Sequence, residues 1–291
     1  MGHRTRIGMA ALAASFAGAV LATAVASAPA FAQSKYPDFK GQWTRLAKVR
    51  VTGQPSFDQT KPWGAGQQAP LTPEYQAILV ANLKDQQNGG HGGFTGWTCL
   101  PYGMPMMMYA FAAVEFVVTP ETTYILINHQ DAMRRIYTDG RTMPPNAEPT
   151  FAGYSVGRWI DEKGDGNYNV LEVETKNFKG PRFFDESGIP MHADNQTVFK
   201  ERFYLDPADR DVLHDEITVT DHALTRPWTV TRDYSRVKAQ QPAWLEFACA
   251  ENNPHVRIGG DNYYLSAEGL LMPARKDQAP PDLRYFKKAQ K

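Results

Sequence analysis

The sequence predicts a mainly β fold, a single antiparallel β-barrel preceded by one short helix, on three observations. Runs of strand length, rich in Val, Ile, Thr, Tyr, Phe and Trp, follow one another from residue 114 to residue 249. The breaks between them are dense in Gly, Pro, Asp and Asn, as in Glu162-Lys163-Gly164-Asp165-Gly166-Asn167 and Asp206-Pro207-Ala208-Asp209-Arg210-Asp211. Only one stretch carries the spacing and the caps of a helix. Many short strands at even spacing cover their apolar faces by closing into a barrel or stacking as a sandwich.

In chain order, the first 32 residues read as an export signal. Arg4 and Arg6 make a basic start, residues 7–25 are apolar and small, and Ala30-Phe31-Ala32 fits the cleavage pattern. Cleavage after Ala32 leaves 291 − 32 = 259 residues, and the expected address is periplasmic or secreted. No later run approaches the roughly 18 apolar residues of a membrane-spanning helix. Lys and Arg number 31 against 31 Asp and Glu, so the basic excess that a nucleic-acid partner calls for is missing. Residues 33–275 are expected to form one barrel domain, and 276–291, with Pro280-Pro281 and a Lys-rich end, an exposed tail.

A strand-like run over 44–52 opens the domain, with Gly41-Gln42-Trp43 just before it. This triplet is similar to the Gly-x-Trp signature near the start of lipocalin-like (calycin) barrels, and the resemblance implies a barrel of that kind. The helix starts at Thr72, an N-cap residue, with Pro73 in the first helical position, and runs to about Asp85. Tyr75, Ile78, Leu79 and Leu83 give it an apolar stripe. Residues 86–96 are glycine-rich loop. Met104, Met106, Met107 and Met108 then suit a core or an apolar pocket wall; a thioether copper site is the rival, without a flanking His to support it.

Strands are expected over 114–119, 122–129, 133–138, 155–160, 168–175, 197–205, 212–220, 228–236 and 244–249. Alternate residues share a face. Phe199, Glu201 and Phe203 fall on one face of their strand, and Trp228, Val230, Arg232 and Tyr234 on one face of theirs. Arg134, Arg135 and Arg141 gather near Tyr137 and the Asp139-Gly140 turn, either as a solvated basic face or as a pocket wall. A register slip of one residue exchanges Arg134 and Arg135.

No zinc-protease, phosphate-loop, nucleophile-elbow or dinucleotide motif occurs, so no cofactor and no metal are expected. The histidines are scattered singly. The acid–base candidates are His192, beside Asp194 in a loop, and Glu201, which desolvation on an apolar face would make a better base. Arg135 or Arg202 would stabilise developing negative charge. Tyr137, Tyr154, Trp159, Arg202 and Trp228 are the expected ligand contacts, and a flat hydrophobic or aromatic molecule is the expected partner. For Glu201 the competing assignment is a salt bridge to an arginine such as Arg135. Cys99 and Cys249, an even pair in an exported chain, are expected to form a disulfide, with two free thiols as the rival.

Several segments in fixed order add a second resemblance: Arg134-Arg-Ile-Tyr-Thr-Asp-Gly-Arg141, Gly153-Tyr-Ser-Val-Gly-Arg-Trp159, Glu201-Arg-Phe203, Thr218-Val-Thr-Asp221, Arg226-Pro-Trp228 and Cys249-Ala-Glu-Asn-Asn253. Together they resemble a large family of exported β-rich proteins from proteobacteria and acidobacteria. The resemblance implies an export signal and a one-domain β fold, and it carries no activity. The functional expectation is a periplasmic binder of a small hydrophobic or aromatic molecule, extended to cofactor-free lyase, hydratase or isomerase chemistry. The alternative is a carrier or an envelope-associated interaction protein.

Overall fold

Alternation of inward apolar and outward polar residues closes nine consecutive strands into one barrel. The computed structural model describes residues 35–46, 66, 68–93, 99–109, 113–249, 251, 254–258 and 261–280. The expected export signal, residues 47–52 of the expected first strand and residues 281–291 of the expected tail lie outside them. The strands are β1 (Gln42–Arg45), β2 (Val114–Val118), β3 (Thr122–Ile127), β4 (Ala132–Tyr137) and β5 (Tyr154–Ile160). They continue as β6 (Val170–Lys176), β7 (Val198–Leu205), β8 (Val212–Thr220) and β9 (Trp228–Arg236). Neighbours in sequence are neighbours in the sheet, and β1 closes it by pairing with both β2 and β9.

The interior is packed with large side chains. Trp43, Phe39, Phe116, Phe199, Phe203, Trp228 and Tyr234 are buried together with Met104, Met107 and Met108. The methionine-rich run therefore serves the core. Each such side chain contributes about 1.5–3 kcal/mol through its burial. Helix α1 (Pro73–Gln87) begins where its caps place it, with Thr72 Oγ1 accepting the amide of Tyr75 at 3.4 Å. Of its expected apolar stripe Leu79 is buried, whereas Ile78 remains 39% exposed.

Three features depart from an all-antiparallel barrel ending at residue 275. First, β4 and β5 pair in parallel, and only at Ile136↔Ser155 and Tyr137↔Val156. The Asp139-Gly140 turn is present, with Gly140 at φ +85°, but it opens a long connection rather than a hairpin. Second, residues 244–249 form an extended strap, not a strand. The carbonyls of Ala243 and Leu245 accept hydrogen bonds from the side chains of Gln42 and Asn128, so no ladder forms there. Third, β10 (His255–Ile258), β11 (Asp261–Leu265) and β12 (Leu271–Pro273) make a separate three-stranded antiparallel sheet.

Among the described residues no helix is long and apolar enough to cross a membrane. The outward positions of β5–β8 carry a ladder of paired charges, including Arg158–Glu172 and Lys200–Glu174.

Candidate functional site

The short parallel pairing leaves the first half of β4 without a strand neighbour on that side. Residues 99–109, 129–133, 150–153 and the strap pack there. Gly157 brings β5 close to β4, since a Cβ at that position would lie 2.7 Å from Ile136 Cγ2. Two adjoining cavities flank the seam, sharing Met133 and Ala152 in their walls.

The larger cavity, about 350 Å³, is lined by Tyr102, Met107, His129, Phe151 and Phe247, with the disulfide in its wall. Cys99 and Cys249 are bonded, 150 residues apart in sequence, and this link sets the strap against the 99–103 segment. His129 Nε2 and the Tyr102 hydroxyl are 2.6 Å apart. The two rings stack at 4.7 Å, and Phe247 lies 4.5 Å from the imidazole on centroid distances. Burial pushes the His129 pKa down. It pushes the Tyr102 phenol up to about 12, with help from the Glu186 charge. Both groups are therefore neutral near pH 7, and one hydrogen bond joins the phenol oxygen to Nε2. Gly103 forms part of the floor at φ +62°, and a Cβ there would meet the Phe151 carbonyl oxygen at 2.5 Å.

The smaller cavity, about 240 Å³, brings together Arg135, Tyr137 and Tyr154 with Arg134 and Ser155. Its back wall is a buried polar network. Arg134 points into the barrel, donating to Glu201 Oε1 at 2.8 Å, to Thr175 Oγ1 at 2.8 Å and to Ser155 Oγ at 3.3 Å, and also to Glu201 Oε2. Asp215 and Arg232, opposite each other in the β8–β9 register, are buried in the barrel as well. Asp215 is fully buried, and burial, reinforced by the Glu201 charge, pushes its pKa up to about 8.

The sequence-expected residues separate into distinct places. Arg135 faces outward on β4, over the Tyr124 ring at 5.8 Å, so the inward arginine is Arg134. Strand alternation admits only one of the two. Glu201 is 1% exposed and held bidentately by Arg134, which fits the salt-bridge assignment with Arg134 in place of Arg135. A carboxylate buried and paired in this way serves as the counter-charge of Arg134. Tyr137 and Tyr154 lie 5.1 Å apart in the smaller cavity. Trp159 packs with Tyr36 and Phe39, and Trp228 is buried against Phe184, 4.4 Å between centroids; neither lines the two seam cavities.

Arg202 points outward and pairs with Glu162 and Glu172, along a surface groove of about 610 Å³ whose charges are largely paired with one another. His192 is half-buried in its loop, 3.1 Å from Asp194 Oδ1, and shares no wall with the seam cavities. The His129–Tyr102–Phe247 group was not expected from the sequence. The signal was present in the two cysteines, whose bond places the segments of Tyr102 and Phe247 side by side.

No protein-family model matches the chain, and no curated protein matches it.

Proposed function

We propose that the protein is an exported binder of a small hydrophobic or aromatic molecule, taken up in the pocket beside the disulfide. The observation that carries this proposal is the aromatic and methionine wall around a single neutral His129–Tyr102 pair. A flat apolar ligand finds rings to pack against, and one polar handle fixes its orientation, which is the usual composition of a small-molecule site. The volume of about 350 Å³ suits a molecule of one or two rings. The disulfide accords with an oxidising compartment.

Of the two functional alternatives, carrier and cofactor-free enzyme, the second has one specific observation in its favour. A neutral imidazole in hydrogen-bond reach of a phenol is a base with a proton relay attached. In a lyase, hydratase or isomerase, His129 Nδ1 would take a proton from the ligand, Nε2 would pass its own to the Tyr102 oxygen, and the Tyr102 hydroxyl hydrogen would return to the ligand. That role replaces the one first given to His192, Glu201 and Arg135.

A thermal-shift screen with aromatic acids, terpenoids and steroids tests the proposal. Ligand-dependent stabilisation is expected for some members, weakened in Phe247→Ala. No shift anywhere in a broad panel would exclude a binding pocket. Turnover of a hit, abolished in His129→Ala while binding persists, would select the enzyme; a bound hit left chemically unchanged selects the carrier.

A further inference from the structure

We propose that His192, Asp194 and His222 bind one divalent transition-metal ion of the zinc type. One potential ligand atom from each of the three lies within 4.8 Å of those of the other two. Asp194 is the hub, with Oδ1 3.1 Å from His192 Nδ1 and Oδ2 2.5 Å from His222 Nδ1. In a tetrahedral zinc site with bonds of about 2.0–2.1 Å, neighbouring ligand atoms stand about 3.4 Å apart. The trio is thus close to a coordinating arrangement already. His222 closes it through a side chain that is 65% exposed and turns without disturbing the core.

The donor atoms decide the class of ion. Two imidazole nitrogens and one carboxylate suit zinc, cobalt, nickel or copper, whereas calcium and magnesium require shells of oxygen. The amide of Asp194 donates to His192 Nδ1 at 3.0 Å, so this nitrogen already carries the lone pair a metal needs. An arriving ion replaces that one contact. The hydrogen bond between His222 Nδ1 and Asp194 is given up as well, and the ring binds through Nδ1 as its Nε2–H tautomer. Three protein ligands leave a further position for water or an anion, and the half-exposed setting gives it access.

The surroundings hold the ligands in place, and a chance meeting of surface side chains would lack this support. Arg182, 3% exposed, donates to the carbonyls of His192 and Asp194 and to Thr197 Oγ1, clamping the loop on both sides of Ala193. The carboxylate of Asp221 accepts the amides of His192 at 2.9 Å and Ala223 at 2.7 Å, and the hydroxyl of Thr197. It therefore ties the loop of the first two ligands to the turn that carries the third. These main-chain anchors fix the backbone from which the three ligands project. The site shares no residue with the proposed ligand pocket and stands independently of it.

The test uses the full chain, stripped with a chelator, dialysed and titrated with zinc sulfate against a chromophoric competitor. One equivalent is expected to bind, and cobalt in its place should give the visible absorption of a low-coordinate nitrogen–oxygen site. His222→Ala, a surface change that leaves the metal-free melting temperature unaltered, should weaken binding at least 10- to 100-fold, the range reported for losing even an outer-shell partner. The other close histidine pair, His91 and His255, is 5.4 Å apart between ring centroids. Binding that survives His222→Ala but disappears in His255→Ala would overturn the proposal, as would a wild-type chain that takes up no zinc.

Discussion

Asp215 shows how the barrel interior couples charge to stability. Its carboxyl, ordinarily near 3.8, is pushed up to about 8 by burial and then by Glu201. Between those two values the folded state holds a proton that the unfolded state releases, so stability falls as pH rises through the window. Asp215→Asn removes this dependence. Its stability relative to wild type should climb from about pH 4 to about pH 8, the span between the two values, in denaturant melts; a difference that stays flat would refute the assignment. Glu201→Gln strips Arg134 of its bidentate partner and should destabilise the fold by about 3–5 kcal/mol. Glu201 stood out in the sequence because period-two alternation put one carboxylate among apolar neighbours. The choice between Arg134 and Arg135 was hidden, because both registers of β4 satisfy the same hydrophobic pattern. His129 and Tyr102, 27 residues apart, meet only through tertiary structure.

At the level of elements, the sequence located strands well where they lie within the antiparallel meander. From β5 to β9, turn residues and alternation coincide, so each strand begins and ends near its expected position. It fared worse at the seam. The parallel β4–β5 pairing has no local signature, since its connection begins with the same Asp-Gly turn that usually opens a hairpin. Residues 244–249 alternate like a strand but find side-chain partners instead of a ladder, a choice made by the rest of the molecule. Gly157 is the element-level pivot. Gly157→Ala should force Ile136 or the β5 backbone aside and lower the melting temperature, whereas an unchanged melt would show that the seam has slack. The disulfide matters in two ways. Opening a loop of this length costs up to about 4–5 kcal/mol by chain entropy, and it releases the strap that carries Phe247. Cys249→Ser should therefore lose stability and ligand response together.

For the whole molecule, a filled barrel leaves the proposed ligand site at its side. The interior is occupied by aromatic residues, methionines and the buried Arg134–Glu201 pair, and the lateral gap beside β4 supplies the room that a central cavity would have given. The barrel class followed from strand count and spacing. The location of the site did not, because it depends on which pair of strands fails to zip. Isothermal titration of the tightest screening hit, into wild type and into Ala152→Phe, tests this lateral site most directly. Ala152 borders both seam cavities, so a phenyl group there fills the space a ligand would take. One-to-one binding by wild type and at least a tenfold loss in a folded Ala152→Phe are the expected results, a difference of about 1.4 kcal/mol or more. Equal affinity in the two proteins would contradict a ligand site at the seam.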